Sequence, residues 1–522
     1  MATPFDEPTI ASSDQGSLRI DDLELKSRID GILNRHPAVG LAVGVVRDGR
    51  LGFFYGHGIA DIASNTPITA DTVFRIGSVT KTFTAIAVMQ LREQGLIDLD
   101  APANDYLRAY ELIPAQAGFR PATVRHLLTH TSGIPEARHA SDLFHPEAGP
   151  FEGRPLHLSV KFGEPLPSLA EYYRGGLREV AQPGTAFAYS NHGFATLGQI
   201  VEDVSGMPLG RYFRERIFQP LGMQDTDLLR SERVALHLAT GYALGRRGAE
   251  AVPDLDWTGP GGGGIYSTTR DIARFAAALM GSGTGEHGSV LEPATLATMF
   301  EPHHRPDPRL PGWGLGFARA EAGTHRVVGH DGILPGFNSD LLVAPDDGVG
   351  VVAFTNGSKG AFMWMEAEFK RLLRHLLDVP DEVIRTDIAH HPEVWEELCG
   401  RYRLPPRISD LRQRLLIAGG VEVFVRGGRL MIRALTPIPA LYRGLPLHPD
   451  DEDDPYAFRL DLWGLGMSTV RVVFGRDVAS DTAAIHTSLG GQPLSLIRRP
   501  TEGRARGPRT AALGALLVAT TA

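Results

Sequence analysis

Cysteine is almost absent from this chain, and lysine is nearly so. A single cysteine, Cys399, among 522 residues leaves no internal disulfide to form, which accords with a reducing compartment. Five lysines stand against 47 arginines, so a lysine at a catalytic spacing is set against a nearly empty background. Basic charge is also in deficit. A net charge of −9 and a pI of about 6.1 give a nucleic-acid partner no electrostatic footing. The acidic run at 450–454 is short and reads as a solvated loop. No apolar run reaches membrane-spanning length, since the tail at 510–522 is too short, and no membrane partner is expected. Residues 1–17 carry Asp6 and Glu7, with neither the basic nor the apolar part of a secretory leader. A cytoplasmic location is therefore the expectation.

Several catalytic signatures are missing as well. No Gly-x-Ser-x-Gly occurs, which removes the nucleophile elbow of α/β-hydrolases. The chain has no Gly-Lys pair, hence no phosphate-binding P-loop, and no His-Glu-x-x-His. His126 and His130 lie four apart, but no Glu or Cys completes a ligand set. They read as structural, and neither a metal nor a cofactor is expected. The pairs 303–304 and 390–391 read as solvated histidines in proline-rich connections.

What the chain does hold is a Ser-x-x-Lys, Ser78-Val79-Thr80-Lys81, found once in the sequence. With 23 serines and five lysines, chance would supply roughly 0.2 such pairs. Apolar residues then recur at helical spacing through Phe83, Ile86, Met89 and Leu91 to a stop at Gly95. On a helix, residues three apart share a face, which sets the Lys81 amine beside the Ser78 hydroxyl. An alcohol needs such a proton acceptor, and a helix start aims backbone N–H groups at developing negative charge.

Two further motifs follow in order. Tyr189-Ser190-Asn191 is the only Tyr-x-Asn, in a chain with six asparagines, and it follows the turn signal Gln182-Pro183-Gly184. Gly329-His330-Asp331-Gly332 comes after the strand-like Arg326-Val327-Val328. Beyond it, two more strand-like runs at 339–343 and 349–354 are joined by Pro345-Asp346-Asp347-Gly348, a hairpin signal.

With these three motifs, and with Phe74-Arg75-Ile76-Gly77, residues 127–135, the glycine-rich stretch 262–268 and Trp313-Gly314-Leu315-Gly316-Phe317, residues 20–380 resemble the penicillin-binding-protein-like serine hydrolases. That group includes class C β-lactamases, D-aminopeptidases and family VIII carboxylesterases, of peptidase family S12 type. The resemblance implies a catalytic set of Ser78, Lys81, Tyr189, Asn191 and His330, with Ser78 as nucleophile. It also implies an oxyanion site at the backbone N–H groups of Ser78 and Ile333, with Gly332 allowing close approach. Either Lys81 or Tyr189 can serve as the base, and Tyr189 is the natural donor to the leaving group. Histidine at 330 departs from the lysine of β-lactamases. A group mostly neutral at pH 7 holds a substrate carboxylate poorly, which disfavours β-lactam hydrolysis.

Composition, 43% hydrophobic and 22% charged, fits a globular chain with a sizeable core. Periodicity gives an amphipathic helix at 22–35, a hairpin of 40–46 and 51–55 through Asp48-Gly49, and helices at 272–279 and 363–377. The fold expected is α/β (α+β), of the β-lactamase/transpeptidase-like kind, an antiparallel sheet flanked by a helical lobe with the site between them. The expected organisation is a disordered 1–18, a catalytic domain at 19–380, a linker at 381–398, a C-terminal β-barrel-like domain at 399–502 and a tail at 503–522. The function expected is amide or peptide cleavage in small peptides through an acyl-enzyme. Carboxylesterase action on short acyl esters is the alternative, followed by a β-lactamase or DD-peptidase, an acyltransferase or an acyl sensor that never turns over. The partner is accordingly a small molecule or short peptide, and oligomeric state is left open.

Overall fold

The computed structural model describes residues 9–12, 20–136, 158–245, 247–280, 288–408, 419–436 and 439–499. Its larger sheet grows from chemistry legible in the sequence. β-Branched and apolar residues of β2 (Gly40–Arg47) and β3 (Arg50–Asp61) pair through Asp48 and Gly49, both at positive φ. That is the backbone a tight, right-twisted hairpin turn requires. Near the other edge stand β4 (Ala318–Ala322), β5 (His325–Leu334), β6 (Phe337–Ala344) and β7 (Val349–Thr355). Together with β1 (Thr9–Ser12) they form an antiparallel sheet in the order β1-β3-β2-β7-β6-β5-β4, with a short strand, Thr66–Pro67, attached to β3. β1 corrects one expectation: part of the segment expected to be disordered pairs with β3 from Thr9 to Ser12. The rest of 1–18 and the tail at 503–522 lie outside the described residues.

Central strands read as continuous apolar runs because both faces are covered. On one face, α1 (Ile20–Arg35) and α5 (Ala361–Leu376) seat Leu25, Ile29, Trp364 and Phe369 on Val43, Val45 and Val351. On the other, α2 (Thr80–Glu93), α3 (Asn191–Ser205) and α4 (Thr269–Leu279) share a larger core with Val46, Phe54, Val352 and Phe354. α2 is buried nearly all round, as a helix at the centre of a lobe must be.

From Gly400 onward the chain builds a nine-stranded sheet whose first and last members are Leu445–Pro446 and His448–Pro449. Only Leu447 separates those two strands along the chain, so the sheet curls until its edges meet, a nearly closed barrel. Tyr402, Val423, Leu430, Phe458, Val472 and Leu496 fill it. Charged contacts dock it on the first unit. Arg309 pairs with Asp454 and donates to the Phe474 carbonyl, and Arg407 donates to the Thr185 carbonyl.

Candidate active site

Ser78 sits in a single tight turn, Gly77–Val79, that runs directly into α2 at Thr80. Gly77 carries φ of +50°, a backbone that L side chains rarely adopt, so glycine is needed just before the serine. One turn on, Lys81 is fully buried. Its Nζ lies 3.0 Å from Ser78 Oγ, 2.6 Å from Asn191 Oδ1 and 2.5 Å from the Gly262 carbonyl oxygen. Two fixed oxygen acceptors occupy two N–H bonds of the amine. The remaining tetrahedral position then faces the serine hydroxyl, as an N–H when charged and as a lone pair when neutral.

Asn191 opens α3, with Ser190 as its N-cap: the serine hydroxyl accepts the Gly193 N–H at 3.2 Å. That cap places Tyr189 one residue outside the helix. The Tyr189 ring centroid is 4.9 Å from Lys81 Nζ, an ammonium–ring contact in its own right. Behind Tyr189, the His130 ring stands 4.2 Å away and the Trp313 ring 6.5 Å. His130 Nδ1 accepts the Ser190 N–H at 3.1 Å, so this histidine is structural. His126 is as well: it belongs to the capping box of a short helix, Val124–Leu128.

His330 and Gly332 lie on β5, which runs unbroken past them to Leu334. His330 Nδ1 is 2.6 Å from the Asp331 carbonyl oxygen, which can only accept, so Nδ1 carries the proton and Nε2 is the lone-pair nitrogen. Burial, reinforced by the charge of Lys81, lowers its pKa to about 3. The ring is therefore neutral across the physiological range. Gly332 is pressed against the serine turn: a Cβ there would meet the Ile76 carbonyl oxygen at 2.1 Å and Ser339 Oγ at 2.3 Å. A Cβ on Gly77 would come within 3.1 Å of the Ile333 nitrogen, so that amide lies beside the serine turn.

All the sequence-predicted residues, Ser78, Lys81, Tyr189, Asn191, His330, Gly332 and Ile333, thus converge around one turn. Two contributors were not singled out for the site in the sequence. Glu136 accepts both the backbone N–H and the side-chain amide of Asn191, each at 2.6 Å. Gly262 contributes its carbonyl to Lys81 and also packs closely, since a Cβ on it would stand 3.3 Å from the Asn191 carbonyl oxygen. The histidine pair at 303–304 needs correction, because both residues are half-buried and engaged by neighbours. His303 is bonded between Arg125 and the Thr298 carbonyl, while His304 stacks on Phe187 and burial lowers its pKa to about 4. Among the described residues no group of three His, Cys, Asp or Glu is placed to hold a metal ion, and no helix is long and apolar enough to cross a membrane.

A family model described as Beta-lactamase matches residues 25–375. Penicillin-binding protein 4 of Amycolatopsis lactamdurans is 30% identical over 397 residues, 73% of this chain and 97% of that one. Esterase EstB of Burkholderia gladioli is 28% identical over 341 residues, 60% of this chain and 84% of the esterase. Among solved structures, the octameric penicillin-binding protein homologue from Pyrococcus abyssi aligns with a TM-score of 0.56 at 23% identity, covering 92% of this chain and 100% of that one. That likeness in fold extends past residue 375 into the C-terminal sheet.

Proposed function

This chain belongs to the beta-lactamase family and is a hydrolase; from that premise we propose that it cleaves amide bonds in small peptides through an acyl-enzyme on Ser78. The observation that carries the reading is the position of Lys81, fully buried and 3.0 Å from Ser78 Oγ. In the first step Ser78 Oγ attacks the substrate carbonyl carbon and its proton passes to the neutral form of Lys81, whose lone pair faces the hydroxyl. Negative charge develops on the carbonyl oxygen between the Ser78 and Ile333 N–H groups. Tyr189 then delivers a proton to the leaving nitrogen as the C–N bond breaks, and Lys81 re-protonates Tyr189. Water, deprotonated by the same groups in reverse, releases the acid and restores Ser78.

Support for a peptide with no carboxylate next to the scissile bond comes from His330. A lysine there would offer a permanent cation, whereas the buried imidazole is neutral. Likeness to an esterase favours a second reading, cleavage of short acyl esters by the same residues. The test is turnover of a p-nitrophenyl ester beside p-nitroanilides of L- and D-aminoacyl peptides, with Ser78→Ala in parallel. Anilide cleavage lost in the variant supports the peptidase, and ester-only cleavage lost in it supports the esterase. Activity that survives Ser78→Ala removes the nucleophile assignment.

A further inference from the structure

Away from the Ser78 cluster, a cavity of about 400 Å³ lies where the C-terminal barrel meets the loop that carries Tyr189. Its volume is in the range that holds a small ligand or a large side chain. Phe187 forms a wall on the catalytic side, and Pro405, Ile408, Val478 and Leu494 face it from the barrel side. The polar groups around it are mostly engaged already. Arg407 donates to the Thr185 carbonyl at 2.9 Å and is paired with the buried carboxylate of Asp477. His486 bonds Ser495 and the Arg476 carbonyl. Among the charged groups Arg305 is the exception: it lines the cavity, is exposed, and pairs with no carboxylate among the described residues. Apolar volume beside an unmatched guanidinium selects one ligand chemistry, an apolar group that bears a carboxylate.

Two buried rings, Phe187 and Trp313, lie between the cavity and the catalytic cluster. Phe187 stands 5.2 Å from Trp313, and Trp313 stands 6.5 Å from Tyr189. Three or four extended residues running over those rings, at roughly 3.3–3.6 Å each, span that distance. A proton donor to the leaving nitrogen marks the side on which the leaving peptide runs, and Tyr189 is on the cavity side. We propose that the cavity holds the C-terminal residue of a short peptide substrate, with its apolar side chain against Phe187, Ile408 and Leu494 and its free carboxylate on Arg305. This rests on the amide-cleaving reading of the site.

The experiment uses two peptides that extend four residues beyond the scissile bond, end in phenylalanine and differ only in a free or amidated C-terminus. The wild-type chain is expected to favour the free acid roughly tenfold in kcat/KM, as a charged hydrogen bond would give. Arg305→Ala should erase that preference. Val478→Trp, at a position 90% exposed and so tolerant of substitution, should raise KM for both peptides by crowding the cavity. Both variants should retain wild-type turnover of p-nitrophenyl acetate. A wild type indifferent to terminal charge, or an Arg305→Ala that keeps the preference, overturns the proposal. Failure of the underlying reading looks different, with ester turnover intact and no peptide cleaved. In that case calorimetry with N-acetylphenylalanine decides: binding lost in Arg305→Ala upholds the cavity as a carboxylate site, and no binding to the wild type ends it.

Discussion

Glu136 grips Asn191 twice, through its backbone N–H and through its side-chain amide, each at 2.6 Å. The amide has only one way to satisfy this grip: its NH2 faces Glu136 and its Oδ1 faces Lys81. Removing the carboxylate frees the amide to rotate and lets the lysine drift from the serine. Glu136→Ala should therefore lower kcat by up to about a hundredfold, the cost of misplacing a catalytic group by an ångström. KM for small esters should stay near the wild-type value. Steady-state kinetics on a p-nitrophenyl ester reads this directly, and an unchanged kcat would refute the positioning role.

Tyr189→Phe separates leaving groups. An amine must be protonated before it departs, whereas p-nitrophenolate leaves without help. The variant should lose roughly a hundredfold or more on an anilide and less than about tenfold on the matching p-nitrophenyl ester. Equal losses would show that Tyr189 acts elsewhere in the cycle.

At Gly332 there is no room for a methyl group. A Cβ would sit 2.1 Å from the Ile76 carbonyl oxygen and 2.3 Å from Ser339 Oγ, and backbone cannot yield as a flexible side chain does. Gly332→Ala should push β5 away from the serine turn at a cost of about 1–3 kcal/mol of stability. The Ile333 N–H moves with the strand, so kcat/KM should fall at least tenfold. Thermal unfolding and ester kinetics on one preparation measure both.

Glu179 supplies a pH test of stability. One of its carboxyl oxygens accepts the Ala122 N–H at 3.1 Å, the other is buried without a hydrogen-bond partner, and burial raises its pKa to about 7. A carboxyl whose folded pKa is raised stabilises the fold while protonated, and that contribution is lost as pH climbs from 4.5 through 7. Glu179→Gln mimics the protonated form. It should melt a few degrees above the wild type at pH 8, with the difference closing near pH 4.5. A melting temperature unchanged at pH 8 would mean the carboxylate is solvated.

Local chemistry in the sequence determined much of this protein. Asp48-Gly49 dictates its hairpin because both residues must take positive φ, and the spacing of Ser78 and Lys81 dictates that they share one helical face. The ordered motifs marked the strand of His330 and the loop of Tyr189, since hydrogen-bonding and apolar periodicities are local properties. Folding alone decided what those residues meet. A carbonyl at Gly262, 181 positions from Lys81, has no side chain to announce it, and Glu136 looked like any loop carboxylate until Asn191 came within 2.6 Å. By residue type His330 has ordinary basicity, and only burial beside Lys81 carries it down to about 3. Proline-rich surroundings suggest a surface position for His304, yet the fold stacks it on Phe187. Propensity acts over a few residues, so the sequence could fix elements and motifs; desolvation and long-range contact arise only when distant segments close on one another, and they set the chemistry of the site.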